Sequence, residues 1–123
     1  MKTILVIDDE PFMLELVRKI LEAAHYQVVT ATSADSGLDA YRRAQPDVVI
    51  TDLIMPEKDG LEAIQELLRL NPQARVIAMS GGGRSSYANA LPAAKVFGAI
   101  ETLRKPFPPD TLLAAVTRAL GGV

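Results

Sequence analysis

The stretch Ile4-Leu5-Val6-Ile7-Asp8-Asp9-Glu10-Pro11 runs from four apolar residues straight into three acids and a proline. A continuous apolar run of this length is typical of a strand buried on both faces, as parallel sheets require. Pro11 is well suited to the first turn of a helix, where its missing N–H costs nothing. The stretch therefore predicts a strand followed at once by a helix, with acidic residues at the junction.

The same pattern recurs along the chain. Val48 to Ile50 and Val76 to Met79 are apolar runs that end at Thr51-Asp52 and at Ser80, and two weaker strand candidates lie at Val28-Val29 and Ile100 to Leu103. Between the runs, apolar residues fall at helical spacing: Met13, Leu16, Val17, Ile20, Leu21 and Ala24, then Leu61, Ile64, Leu67 and Leu68, then Leu112, Leu113, Val116 and Leu120. Ala34 to Ala44 predicts a shorter helix before Pro46. Strands that alternate with helices predict an α/β fold with a parallel sheet covered on both faces.

Two places need separate interpretation. His25, the single histidine, follows the first predicted helix, and we expect it to end that helix in a left-handed conformation rather than to bind metal. From Gly81 to Gly98 we expect a glycine loop and then a broken or shortened helix, because Pro92 would disrupt the interior of a long one.

Composition narrows the function classes. With 123 residues, 49% hydrophobic and 23% charged, the chain suits one soluble globular domain without an output domain. A net charge of -2 gives no electrostatic support for a nucleic-acid or membrane partner. The absence of cysteine excludes disulfides and fits the cytoplasm. No apolar run approaches the roughly 18 residues of a membrane span. Taken together, these features lead us to expect a cytoplasmic protein, and we expect it to be a monomer.

Polar residues follow the predicted strands where the carboxyl edge of the sheet would lie, which is where open α/β sheets collect functional groups. They are Asp8 and Asp9, then Asp52, then Ser80, and finally Lys105. Three carboxylates held together repel one another unless a cation is present, and Mg²⁺ is a hard ion that prefers oxygen ligands. A carboxylate between a metal and a lysine can act as a nucleophile toward phosphorus. These residues therefore predict a phosphate-accepting site.

In this order and spacing, the motifs resemble the receiver domain of two-component response regulators over nearly the whole chain. The matching pieces are residues 4 to 11, residues 46 to 56, Asp59-Gly60, Met79-Ser80, Gly98-Ala99 and Lys105-Pro106-Phe107. The resemblance implies a flavodoxin-like (βα)5 three-layer sandwich with strand order 2-1-3-4-5, and a cis peptide before Pro106. It also implies one receiver domain over residues 1–123.

The resemblance assigns roles to the site residues. Asp52 would take a phosphoryl group from the phosphohistidine of a histidine kinase or phosphotransfer protein. Asp9, Asp52 and the backbone carbonyl of Ile54 would bind Mg²⁺, with Asp8 acting through water. Lys105 would pair with the phosphoryl group and Ser80 would be the switch hydroxyl. No other cofactor is implied, and the product would be a phosphoprotein that docks to another protein or relays the phosphate, not a turnover enzyme.

The chain departs from the family pattern in its readout. Many receivers carry an aromatic residue three positions before the lysine, where this chain has Thr102. We expect the Gly81 to Gly83 loop to carry the conformational change instead and to become ordered on phosphorylation. The lengthened segment through Arg84, Tyr87 and Pro92 alters the usual output face. Ile54 and Gly82, two residues past Asp52 and Ser80, offer no group to position a hydrolytic water, which favours slow dephosphorylation.

Kinase docking and two rival functions complete the sequence-based hypotheses. Phe12 and Leu14 flank the predicted apolar stripe of the first helix, and with Phe107 and Pro108 they are candidates for an apolar docking rim. One rival is a phosphate-independent interaction module, which Thr102 favours. The other is a Mg²⁺-dependent phosphatase with an aspartate nucleophile, which needs an acid where Ile54 stands.

Overall fold

The computed structural model describes residues 1–55, 60–81 and 90–121. Five strands and five helices alternate within these ranges: β1 (Thr3–Ile7), α1 (Pro11–Ala23), β2 (Gln27–Ala31), α2 (Ala34–Ala44), β3 (Val48–Asp52), α3 (Gly60–Leu70), β4 (Val76–Gly81), α4 (Ala90–Val96), β5 (Glu101–Lys105) and α5 (Pro109–Ala119). The expectations for Pro56, Asp59, Gly82, Gly83, Arg84 and Tyr87 lie outside the described residues.

The strands form one parallel sheet in the order β2-β1-β3-β4-β5, which confirms the predicted flavodoxin-like topology. Alternate side chains of each strand enter two cores. Leu5 and Ile7 pack on the side of α2, α3 and α4, while Ile4 and Val6 pack on the side of α1 and α5. All five residues of β3 are buried, so the strand that ends at Asp52 is the centre of a three-layer structure.

Helix α1 corrects one part of the sequence interpretation. Leu14 was expected at the edge of the core, but it is only 7% exposed and packs with Val17 and Leu21. Leu16, which was assigned to the buried stripe, is 43% exposed. The two possible stripes share Val17 and Leu21, so spacing alone does not distinguish them, and the sheet selects the one that contains Leu14. The prediction that Leu14 belongs to an exposed rim is therefore wrong.

The helix ends follow local residue preferences. His25 has a φ of 71° directly after Ala24, the C-cap of α1, as predicted for a helix terminator. Within the described residues, helix α4 covers seven residues, and Pro92 is the third of them. The peptide between Lys105 and Pro106 is cis, as the resemblance implied. Across the described ranges, no helix is long and apolar enough to cross a membrane.

Candidate phosphoryl-acceptor site

The predicted site residues lie at or just past the last residues of neighbouring strands. Ile7 pairs with Thr51 and Asp52 with Met79, so the register brings Asp8, Asp52 and Ser80 to one edge of the sheet. The ladder continues one residue past β3, where the Leu53 N–H donates to the Met79 carbonyl at 3.0 Å. Asp52, Ser80 and Lys105 belong to their strands rather than following them, because these strands extend beyond the apolar runs that reveal them in the sequence.

Three carboxylates meet at this edge. Asp8, Asp9 and Asp52 each offer an oxygen, and these oxygens all lie within 4.8 Å of one another. Asp8 is fully buried and Asp52 is 5% exposed, whereas Asp9 faces solvent. A group of hard anionic oxygens with one open side fits a cation such as Mg²⁺, which usually keeps some of its waters. The donor set could therefore hold the predicted ion.

Lys105 joins the carboxylates from the end of β5. Its Nζ lies 3.0 Å from Oδ2 of Asp8 and 3.5 Å from Oδ2 of Asp52. The side chain is only 12% exposed, so this charge is held in place rather than solvated. A single ammonium thus bridges two buried carboxylates, and its role toward a phosphoryl oxygen stays a prediction. The closer contact with Asp8 was not anticipated from the sequence.

The remaining oxygens of the two buried carboxylates face the backbone. Oδ1 of Asp8 accepts the N–H of Glu10 at 3.0 Å, and Oδ1 of Asp52 accepts the N–H of Ile54 at 3.4 Å. In each aspartate, Oδ1 is directed to an amide two residues later and Oδ2 to Lys105. Among the described residues, a backbone amide and Lys105 thus orient each carboxylate.

Burial dominates the electrostatics of Asp52. It raises the pKa of the carboxyl to about 6, because the charged form loses hydration in the interior. The positive charge of Lys105 lowers this pKa, the negative charge of Asp8 raises it, and the Ile54 hydrogen bond lowers it. A carboxyl group with such a strongly perturbed pKa, in a cluster with a lysine, is typical of a functional site.

Ser80 and Thr102, the residues predicted to bear on the switch, lie on the neighbouring strands β4 and β5. Ser80 is 1% exposed near the end of β4 and pairs with Arg104 of β5. Thr102 is half-buried and pairs with Ala78, two residues back along the same ladder. Ile54 contacts Asp52 through its N–H, and the metal-binding role of its carbonyl stays a prediction.

The residues predicted to form a docking rim differ in their exposure to solvent. Phe12 is 72% exposed at the start of α1, and Pro108 is exposed just before α5. Phe107 is half-buried and packs against the core on the α1 and α5 side. Because Leu14 lies in the core, the predicted rim is reduced to Phe12, Phe107 and Pro108.

One residue had no role in the sequence analysis beyond its place in a motif. Gly60 opens α3, and its N–H donates to the carbonyl of Leu53 at 3.0 Å, one residue past Asp52. The motif Asp59-Gly60 was the available signal, but nothing in it shows which backbone the glycine approaches.

Known proteins are similar to this chain in sequence and in fold. Residues 4–117 match the model of the response regulator receiver domain. The chain is 33% identical over 118 residues to the chemotaxis protein CheY of Thermotoga maritima, covering 95% of this chain and 96% of that protein. It is also 37% identical over 117 residues to the transcriptional regulatory protein GlrR of Escherichia coli, covering 95% of this chain and 26% of GlrR.

A solved structure agrees with these relatives. The crystal structure of a response regulator receiver domain protein from Clostridium thermocellum superposes with a TM-score of 0.91 at 34% identity, covering 98% of this chain and 95% of that one. The family match spans most of the chain, and the strand order and the acidic edge agree with it. The chain belongs to the response regulator receiver domain family.

Proposed function

We propose that Asp52 accepts a phosphoryl group from the phosphohistidine of a histidine kinase or a histidine phosphotransfer protein. The observation that carries the proposal is the position of the Lys105 ammonium, 3.5 Å from Asp52 and 3.0 Å from Asp8 within a cluster of three carboxylates. Receiver domains are signalling proteins that act with histidine kinases and downstream targets, and they generally bind Mg²⁺.

In the proposed reaction, a carboxylate oxygen of Asp52 attacks the phosphorus atom. A new O–P bond forms and the P–N bond to the donor imidazole breaks. The other ring nitrogen of the donor carries a proton, so the imidazole leaves as a neutral molecule. Asp52 must be ionised to attack, and its pKa of about 6 leaves it mostly charged at neutral pH. The hydrogen bond from the Ile54 N–H to Oδ1 limits the rotation of the carboxylate.

Charge neutralisation is the main demand of phosphoryl transfer. Asp8, Asp9, Asp52 and the Ile54 carbonyl would hold Mg²⁺, which would neutralise charge on the phosphoryl oxygens. Lys105 is placed to transfer one of its contacts from a carboxylate to the incoming phosphoryl group, since its ammonium has three N–H donors. Ser80 is proposed to move toward the phosphoryl group as the switch hydroxyl.

The proposed output is docking to a partner protein, or relay of the phosphate, in the cytoplasm. Phe12 supports an entry point for the kinase, because a large apolar side chain that is 72% exposed lies three residues past Asp9 of the site. A turnover phosphatase is disfavoured since the residue two past Asp52 is Ile54, which cannot act as a general acid. A module that works without phosphate would retain the site only as scaffold.

The test uses a small donor. Wild type incubated with acetyl phosphate and Mg²⁺ should show a retarded band on a phosphate-affinity gel, and Asp52→Asn should not. Asp47→Asn is a matched control, because Asp47 precedes the same strand and its Oδ2 accepts the Thr3 N–H at 2.8 Å at the opposite edge of the sheet. It should be phosphorylated like the wild type. A retarded band that survives Asp52→Asn would contradict the assignment.

A further inference from the structure

The turn that follows β3 is held at both ends of one residue. The Leu53 N–H donates to the Met79 carbonyl of β4 at 3.0 Å, and the Leu53 carbonyl accepts the Gly60 N–H at 3.0 Å. Neither bond involves a side chain. The backbone of Leu53 is therefore held by the adjacent strand and by the first residue of α3, while its side chain packs in the core.

The second of these bonds reaches the acceptor carboxylate through one peptide group. The Leu53 carbonyl and the Ile54 N–H belong to the same peptide, which is planar and trans, so the two groups point in opposite directions. The carbonyl side accepts from Gly60, and the N–H side donates to Oδ1 of Asp52 at 3.4 Å. Rotating this peptide to break one bond would also misalign the other.

The close approach explains why residue 60 is glycine. A Cβ at this position would collide with the carbonyl oxygen of Asp52, and it would lie 2.5 Å from Cα of Leu53 and 2.9 Å from Cδ2 of Leu53. Two of these three atoms belong to the backbone and cannot move away by a change of rotamer. By contrast, a Cβ at Gly37 would meet only atoms of the Ile7 side chain. The constraint at Gly60 is thus a constraint on the backbone of Asp52 and Leu53.

Gly60 is also the first residue of an 11-residue helix. The first N–H groups of a helix have no partner inside the helix and are satisfied from outside. Here the partner is Leu53, so one hydrogen bond serves both the start of α3 and the turn beside Asp52. A shift of the start of α3 would therefore be transmitted to the acceptor carboxylate.

We propose that Gly60 is a positioning residue for phosphoryl transfer, which orients Oδ1 of Asp52 through the Leu53–Ile54 peptide. This inference rests on the proposed function, in which Asp52 is the acceptor. Gly60 touches neither the phosphoryl donor nor the metal in this role. Its contribution is to keep one oxygen of Asp52 on the Ile54 amide, while Lys105 meets the other.

The first test compares Gly60→Ala with Gly98→Ala. Gly98 has a φ of 116°, and a Cβ there would meet the Leu68 side chain, so its substitution also strains the fold but does so away from Asp52. Both variants should lose stability. Gly60→Ala alone should slow phosphorylation by acetyl phosphate in saturating Mg²⁺ by about tenfold, and it alone should shift the Ile54 amide proton resonance and speed its exchange in the protein without Mg²⁺.

A second variant removes the donor without adding an atom to the turn. Replacing the Gly60 amide by an ester, through glycolic acid at this position in a semisynthetic chain, keeps the shape and deletes the N–H. We expect phosphorylation to slow about three- to tenfold, which is the value of one hydrogen bond, with the same change at Ile54. This variant decides the question if Gly60→Ala does not fold.

The outcomes separate the two proposals. If wild type is not phosphorylated, or if Asp52→Asn is, the proposed function fails. If wild type is phosphorylated on Asp52, but the ester variant matches it in rate and in the Ile54 resonance, the role of Gly60 is refuted. A rate for Gly60→Ala equal to that of Gly98→Ala at matched folded fraction would refute it as well.

Discussion

Two aspartates flank the same strand, and they are held very differently. Asp47 precedes β3 at the amino edge of the sheet, is half-buried, and accepts the Thr3 N–H through Oδ2 at 2.8 Å. Asp52 ends β3 at the carboxyl edge, is 5% exposed, and has longer contacts of 3.4 Å to the Ile54 amide and 3.5 Å to Lys105. The less buried carboxylate has the shorter bond.

The two carboxylates contribute differently to the stability of the fold. Asp47 accepts the Thr3 N–H in a short hydrogen bond, and it therefore helps to hold β1 beside the start of β3. Asp52 is buried with a raised pKa of about 6, so its ionised form is less stable than it would be in water. Such a carboxylate has more to gain from a new partner, whether a cation or a phosphorus atom.

The largest expected effect on the free energy of unfolding comes from removing the ammonium group of Lys105 at the carboxyl edge of the sheet. Lys105→Met keeps an apolar stem of similar length, but it leaves Asp8 and Asp52 without their shared ammonium. We expect the free energy of unfolding to fall by about 3 to 5 kcal/mol at pH 7.5 in EDTA. Protonation of Asp52, whose pKa is about 6, should reduce this loss at pH 5, as measured by urea denaturation.

Lys19→Met is the matched control for that experiment, because Lys19 is exposed on α1. It should change the stability by less than about 0.5 kcal/mol at either pH. An equal loss for Lys105→Met at pH 5 and pH 7.5 would mean that packing rather than charge was removed. The contrast between the two edges of the sheet would then have another cause.

Asp52→Asn should show the next largest effect, and its sign is a gain. The folded-state pKa of Asp52 is about 6, against an ordinary value of 3.8 for an aspartate carboxyl, so between these values the folded state binds more protons than the unfolded state. Wild-type stability should therefore fall as pH rises through this window, by about 2 kcal/mol. Asparagine does not titrate, so the variant should lack this slope.

The measurement is the free energy of unfolding of both proteins at pH 4.5 and pH 7.5 in EDTA. Relative to wild type, Asp52→Asn should gain stability between the lower and the higher pH. Mg²⁺ should reduce the gain at pH 7.5, because a cation stabilises the ionised carboxylate. A difference between the two proteins that does not change with pH would show that burial does not penalise the charge of Asp52.

At the amino edge the expected effect is smaller and opposite in sign. Asp47→Ala leaves the Thr3 N–H without its partner, which should cost about 1 to 2 kcal/mol in a thermal or urea unfolding experiment. The rate of phosphorylation by acetyl phosphate should stay at the wild-type value. Asp39→Ala is the control, since the Asp39–Arg42 pair is exposed and should contribute little. If Asp47→Ala slows phosphorylation, the two edges are coupled through β3.

Much of this contrast could be anticipated from the sequence. Branched apolar runs that end in Asp8, Asp52 and Ser80 were enough to predict a parallel sheet and the edge at which its polar residues meet. The motif resemblance added the strand order and the cis peptide before Pro106. Such features depend on residue type and spacing, which a sequence displays directly.

Other features depend on the three-dimensional neighbours of a residue. The spacing of α1 allowed two stripes that share Val17 and Leu21, and only the packed sheet shows that Leu14 is in the core and Leu16 is not. The role of Gly60 depends on how close α3 comes to the backbone of β3, which no motif states. The hydrogen bond between Lys105 and Asp8 joins residues 97 positions apart. It forms because β1 and β5 both end at the carboxyl edge of the sheet.

The smallest expected effect on stability tests the exposed part of α1. Phe12 is 72% exposed, so Phe12→Ala should change the free energy of unfolding by less than about 0.5 kcal/mol. If Phe12 belongs to the kinase-docking rim, the substitution should slow transfer from a phosphorylated histidine kinase domain by about tenfold, because exposed aromatic residues often dominate an interface. Phosphorylation by acetyl phosphate should be unchanged, since the small donor needs no docking.

Val96→Ala is the matched control for this pair of assays. Val96 is 85% exposed on α4, on the opposite side of the sheet from α1, and it should leave transfer from both donors unaltered. Equal slowing of both donors by Phe12→Ala would show that the residue affects the acids at the start of α1 rather than a partner. Phosphorylation of Asp52 would then depend on the start of α1 as well as on the turn after β3. The contrast with Asp47 would in that case involve more of the fold than β3 alone.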